Sequence, residues 1–397
     1  MLTTALPELI GEQCRILYLP ENANQVVLGV AGSGKSVEAA YRAIWISKRY
    51  PDDKILVLSV NRDVSDVLKR TIKSYPDTDN VEVNTVYSYF KKLVNRYLQP
   101  DERLASLLRE YRKNSNSEDL KEIINNLSAI TFKNEMFLFD EVLEEGKKKY
   151  PESTLWNKDN SKEFIKDEIF WMQNNGIKHE SEYLKISRVG RGNQRISAQQ
   201  RETMFKLYKL YYLMRMKRYN KFFNFNDIFS FSEKYCKIPE KERPKYIIID
   251  EVQDISPAMF SALSTIIKAD GHWSVFGDMS QNIFGQRISW SSLGLDNIQK
   301  QYRLERNYRN TRQIGELAKA MLDTNLFEKD PSFIEPSTSA LEGPKPILEP
   351  INKDYSNLIA DIKEIQRVNP AQSIAIILMN SVKESIYVYN LLKNNNI

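Results

Sequence analysis

The octet Gly29-Val30-Ala31-Gly32-Ser33-Gly34-Lys35-Ser36 decides the fold, because it satisfies the phosphate-cradling pattern G-x-x-x-x-G-K-[ST] at every fixed position. Apolar Val26, Val27 and Leu28 precede it as a short buried strand, and Val37 to Ile44 follows with helix-favouring spacing. Strand, tight loop and helix are the setting that the motif requires. Gly29, Gly32 and Gly34 let the backbone bend, with Ala31 and Ser33 between them, so that successive N–H groups turn inward on phosphate oxygens at a helix N-terminus. Lys35 is placed to reach the β- and γ-phosphates, and the Ser36 hydroxyl to ligate Mg²⁺.

A second stretch turns a nucleotide binder into a hydrolase. Tyr246-Ile247-Ile248-Ile249 reads as a buried strand and ends in Asp250-Glu251-Val252-Gln253-Asp254. Carboxylates thus stand where a parallel strand delivers them to a ligand crevice. Asp250 is expected in the Mg²⁺ shell, and Glu251 is expected to polarise the attacking water.

Lys35 and Asp250 are 215 residues apart, far more than the few βα units that one nucleotide-binding sheet places between such motifs. Ile55 to Leu58 and Val81 to Thr85 continue an alternating βα pattern. From about Tyr89 to Ser230 the chain reads instead as helical, charged and aromatic. The α/β pattern resumes near Pro244. Within that helical stretch, Ile186 to Lys221 carries ten basic residues against one acid, Glu202, a charge of +9 in a chain of net +5. Arg188, Arg191 and Arg195 surround Gly190 and Gly192, and Tyr208, Tyr211, Tyr212 and Tyr219 interleave with the later basic residues. This pattern suits a nucleic-acid backbone.

At 397 residues the chain has room for two or three domains. Its two cysteines, Cys14 and Cys236, are too few for a disulfide scaffold, and Met1 to Pro20 shows no basic-then-apolar leader. Its longest apolar runs, such as Ile374 to Met379, are strand-sized. A soluble, cytoplasmic enzyme without membrane contact is expected.

Taken together, these motifs resemble superfamily 1 helicases of the UvrD/Rep type, in order and over almost the whole chain. Gln13 stands where that family carries an adenine-reading glutamine, and Asp250 to Asp254 resembles its D-E-x-Q-D. Val275-Phe276-Gly277-Asp278-Met279-Ser280-Gln281-Asn282-Ile283-Phe284 is similar to its coupling motif, with Gln281 as γ-phosphate sensor. Leu304 to Thr311 is similar to its N-Y-R-[SN] segment, in which Tyr308 packs on the base and Arg309 reaches the γ-phosphate. The resemblance implies ATP and Mg²⁺ as cofactors and nucleotide binding between two lobes. It also implies translocation on single-stranded or tailed DNA, 3′ to 5′, with unwinding. Asn61 and Thr85 are the implied grips on the strand.

Two departures stand out. Family members commonly place stacking aromatics where this chain has Ser59 and Gln286, the latter followed by Arg287; Tyr87, Phe284 and Trp290 are the candidates for that role. Two further motifs of the second lobe do not occur before Ile397. The expected fold is therefore a RecA-like P-loop lobe (1–88 and 231–297) with a helical insertion that contacts nucleic acid (89–230), followed by a partial second RecA-like lobe (298–397). The alternative to a helicase is a DNA-dependent or partner-regulated ATPase subunit of a repair or defence complex. A chain ending at Ile397 is expected to leave the second lobe short of strands, with an open edge at Ile374 to Met379.

Overall fold

The computed structural model describes residues 6–113, 127–158, 161–188, 191, 195–278, 301–323, 334, 337, 341–350, 352, 354–371, 373–378, 382–395 and 397. Among these, β1 (Gln25–Gly29), β2 (Ile55–Ser59), β3 (Val81–Thr85), β4 (Tyr246–Ile249), β5 (His272–Gly277) and β6 (Gln301–Leu304) form one sheet in the order β3-β2-β4-β5-β1-β6. Each pairing is parallel: Val26 lies opposite both Val275 and Gln301, and Leu58 opposite Ile249 and Asn84. Parallel neighbours need crossover connections, which cover both faces of a sheet and so favour strands that are apolar throughout. β1, β2 and β4 are buried at every residue.

The helices are α1 (Lys35–Arg49), α2 (Arg62–Lys73), α3 (Val86–Tyr97), α4 (Glu102–Lys113), α5 (Phe132–Lys149), α6 (Ser161–Asn174), α7 (Glu180–Lys185), α8 (Ala198–Tyr219), α9 (Ile228–Tyr235), α10 (Pro257–Ser264), α11 (Arg312–Leu322), α12 (Ser356–Val368) and α13 (Val382–Asn394). Alternation along β1 sorts them. Val27 faces α1, α2 and the 3₁₀ turn Gly11–Tyr18, whereas Val26 and Leu28 face α3, α9 and α10. Each such side chain removed from water contributes about 1.5–3 kcal/mol. No helix among the described residues is long and apolar enough to cross a membrane.

Between α4 and α9 the chain builds a separate core from Leu138, Phe139, Ile165, Ile169, Met204 and Tyr211. Tyr208 and Tyr211, which interleave with basic residues in the sequence, are buried in it. Arg215, also part of the basic run, is fully buried and bonds the Asp227 carboxylate at 2.7 Å.

The chain divides into two compact units, residues 1–342 and 343–397. Strand β6 and helix α11, expected in a second lobe from 298 onward, lie in the first, and β6 adds to the β1 edge of its sheet. In the second unit, α12 buries Ile362 and α13 buries Val388, and the Tyr355 and Tyr387 rings pack 6.0 Å apart. The strand expected at Ile374 to Met379 does not form over its described part. Residues 373–378 have no regular structure, and Ile377 is exposed. A strand requires a neighbour for its N–H and C=O groups, and the described residues of this unit supply none.

Candidate nucleotide and nucleic-acid site

A parallel sheet sends every strand's C-terminal end to the same edge, and the candidate residues gather there. The phosphate loop follows β1, Asn61 follows β2, Thr85 ends β3, Asp250 follows β4, Asp278 follows β5 and Asn307 follows β6. In the loop, Gly32 (φ +75°) and Gly34 (φ +98°) hold left-handed conformations that only glycine adopts cheaply. Both are also crowded. A Cβ on Gly32 would meet Asn307 Oδ1 at 2.5 Å and Arg309 Cβ at 2.8 Å, and one on Gly34 would strike the Gln13 amide.

Lys35 turns inward: its ammonium donates to Gly29 O (3.0 Å) and Val30 O (3.1 Å) and stands 3.9 Å from Asp278 Oδ2. Gln13 is buried, donating Nε2 to Ser33 O at 2.8 Å and accepting Ile10 N–H on Oε1. It therefore ties the 3₁₀ turn to the loop. From the other side, Tyr308 N–H donates to Gly32 O at 3.0 Å and the Tyr308 hydroxyl to Ile10 O at 3.4 Å. Asn307 Oδ1 accepts from the backbone N–H groups of Arg309 and Asn310, a turn that leaves Arg309 exposed beside the loop.

Asp250 is fully buried and accepts Glu251 N–H on Oδ1, while its Oδ2 has no partner. Burial pushes its pKa up to about 6; the Ser36 hydroxyl and the Lys35 ammonium draw it down, and Glu251 opposes them. A buried carboxylate oxygen lacking a partner, next to a hydroxyl, is a donor set that fits a hard divalent cation. Glu251 occupies a left-handed conformation (φ 57°) that turns the chain out of β4. Gln253 then joins the two acidic strand ends, donating Nε2 to Glu251 Oε2 at 2.6 Å and accepting Asp278 N–H on Oε1 at 3.0 Å. The sequence marks Gln253 only as part of the motif. Its spacing from Glu251 is the signal, but the partner on β5 is visible only in three dimensions.

A model of the UvrD/REP helicase N-terminal domain matches residues 11–303. The chain belongs to the UvrD/Rep helicase family. Among curated relatives, the probable DNA helicase II homolog of Mycoplasma capricolum subsp. capricolum is 29% identical over 132 residues. That match covers 30% of this chain and 17% of the relative, so it spans under a fifth of the relative's length.

The nucleic-acid candidates of this UvrD/Rep chain are placed less uniformly. Asn61 caps α2, its Oδ1 accepting from Asp63 N–H and Val64 N–H, and Thr85 caps α3. Tyr87, in the first turn of α3, packs on Phe225 with ring centroids 4.4 Å apart and tilted by 36°. Phe225 is 55% exposed, and it escaped the sequence reading because nothing local sets it apart from Phe222 and Phe223. Its loop is rigid: Asn224 Nδ2 donates to Glu135, Gln173 and Tyr211, and Asn224 Oδ1 accepts from Asn226 and Asp227 N–H.

Arg188 and Arg191, expected on phosphates, are committed elsewhere. The buried Glu168 carboxylate accepts from Arg188 Nε (2.7 Å), Arg191 Nε (2.9 Å) and the Tyr183 hydroxyl (2.7 Å). Burial alone would raise the Glu168 pKa, but the Arg188 bonds and charge hold it below the usual range. Arg195 is exposed. Gln281, Phe284, Gln286, Arg287 and Trp290 lie outside the described residues, as do Gly190 and Gly192.

Proposed function

We propose that this chain carries the ATP-hydrolysing half of a DNA helicase that translocates 3′ to 5′ along single-stranded or tailed DNA and unwinds it, in the cytoplasm. We also assign residues 1–88 and 231–297 to a RecA-like lobe whose sheet β6 extends, 89–230 to an inserted helical subdomain, and the part of 298–397 that follows β6 to part of a second lobe. One observation carries the reading. The unpartnered Asp250 oxygen, the glutamine-held Glu251 and the inward-turned Lys35 converge on one crevice at the C-terminal edge of a parallel sheet.

Lys35 gives up two carbonyls to take phosphate oxygens as a point charge. Ser36 and Asp250 would hold Mg²⁺, which neutralises phosphate charge when bound. Glu251 accepts the proton of the attacking water, and Gln253 fixes the orientation of that carboxylate. Arg309 meets the charge that develops on the γ-phosphoryl group. Because Asn307 to Arg309 rests on Gly32, nucleotide entering the loop must move this segment. That displacement is the supported source of motion. DNA bases stack at Tyr87 and Phe225.

The test is steady-state ATPase with and without single-stranded DNA, beside unwinding of a tailed duplex. Lys35→Ala should lose both nucleotide binding and turnover. Glu251→Gln should bind nucleotide normally and turn over at least 10²-fold more slowly. Wild-type turnover in Glu251→Gln would remove it as the base, and hydrolysis indifferent to DNA would refute the helicase reading.

A further inference from the structure

The seam where α3 meets the loop after α8 holds two lysines that the nucleotide chemistry does not use. Lys91 lies one turn after Tyr87 on the same face of α3. Its ammonium sits 5.8 Å from the Phe223 ring centroid and donates to Leu127 O and to Asn95 Oδ1 at 2.9 Å. Lys221, two residues before Phe223, donates to the Ser128 hydroxyl. Their acceptors are consecutive residues, and the charge on Lys221 is felt at Lys91. All three acceptors are neutral, and among the described residues no carboxylate pairs with either ammonium. Burial lowers the pKa of both, and the charge on Lys221 lowers that of Lys91 further.

Two cations with no carboxylate partner among the described residues can be completed by an external anion. Its surroundings narrow the choice. One helical turn away, the Tyr87 and Phe225 rings offer a half-exposed aromatic platform at the C-terminal end of β3. Cations within one turn of an aromatic platform match the alternation of phosphate and base along a single strand.

We propose that Lys91 and Lys221 together hold one backbone phosphate of single-stranded DNA whose adjacent base stacks on Tyr87 and Phe225. This rests on the DNA-binding reading above, and it extends the strand's path from the sheet edge onto the junction with the helical segment. The experiment titrates a fluorescent oligothymidylate by anisotropy at several salt concentrations. It compares the wild type, the double variant Lys91→Gln/Lys221→Gln, and Lys221→Arg. The double variant should bind more weakly, with a log K versus log[salt] slope shallower by about 0.7, one phosphate's share on a single strand. Lys221→Arg should keep the wild-type slope. Nucleotide affinity at the phosphate loop should be unchanged in all three, which verifies the fold.

An unchanged slope in a double variant that still binds nucleotide overturns the assignment, even where affinity falls. Should the double variant lose nucleotide binding, Lys221→Gln alone is decisive, because among the described residues its ammonium bonds the exposed Ser128 hydroxyl and no core group. A wild type that binds no single-stranded DNA refutes the parent reading, whereas a wild type that binds while its lysine variants keep the full slope refutes the lysine site alone.

Discussion

Replacing Glu38 by Gln should stabilise this protein, increasingly so as pH rises. Glu38 lies in the first turn of α1, is 1% exposed and leaves Oε1 without a partner. Burial pushes its pKa up to about 9, against the pull of Lys35 and with a further push from Glu12. The folded chain therefore keeps a proton that the unfolded chain releases near pH 4.5. Between those values the unfolded state binds one proton fewer, so this group's share of stability falls by about 1.4 kcal/mol per pH unit. Up to pH 7.5 the loss reaches about 4 kcal/mol. Glutamine keeps the shape and has no proton to lose. Urea unfolding of both proteins from pH 5 to 8.5 measures the difference: an advantage for Glu38→Gln of about 0.7 kcal/mol at pH 5 that grows to about 4 at pH 7.5. Asp250, whose pKa also rises, contributes equally to both curves and cancels. Parallel stability profiles would refute the reasoning, since they would mean that Glu38 ionises freely in the folded chain.

Gly32→Ala combines a left-handed φ with a Cβ pressed on Asn307 and Arg309. The φ alone costs about 1–2 kcal/mol and the overpacking about 1–3; a lower Tm together with at least tenfold slower ATP turnover is expected, and wild-type values for both would show that the 307–309 segment does not rest on the loop. Glu168→Ala leaves the Arg188 and Arg191 guanidinium groups buried without their carboxylate. A loss of about 3–5 kcal/mol in the urea midpoint analysis is expected, and a loss below 1 would return these arginines to the surface.

The legible part of this chain is the part whose chemistry forces fixed spacing. Lys35 and Ser36 must follow Gly34 directly, and Asp250 must end an apolar strand, so the sequence alone placed them on the sheet edge where the structure has them. Charge along the segment does not reveal that Arg188 and Arg191 bond Glu168, 20 and 23 residues upstream on α6. Phe225 gains its meaning from Tyr87, a residue 138 positions earlier. Strand β6 carries Gln301 and Arg303 among its four residues, so no apolar run marks it as one marks β4, and its neighbour β1 lies at the far end of the chain's βα order. Ile374 to Leu378 shows the converse: an apolar run has strand character in sequence, yet becomes a strand only where another strand stands beside it.

The strand order also sets a timetable. β2 takes β4 as its second neighbour, yet 160 residues lie between Thr85 and Tyr246. A ribosome adding about 5–20 residues per second leaves the open side of β2 waiting about 10–30 s for the strand that closes it. During that interval Ile55, Val57 and Leu58 form an unprotected apolar edge. The helical segment can shorten the danger, because a segment that folds on its own core brings its two ends together before β4 arrives and so reduces the loop that β4 must close. Mutations that loosen the Glu168 cluster would then be felt first as lost yield during synthesis, before any change in the activity of the folded protein.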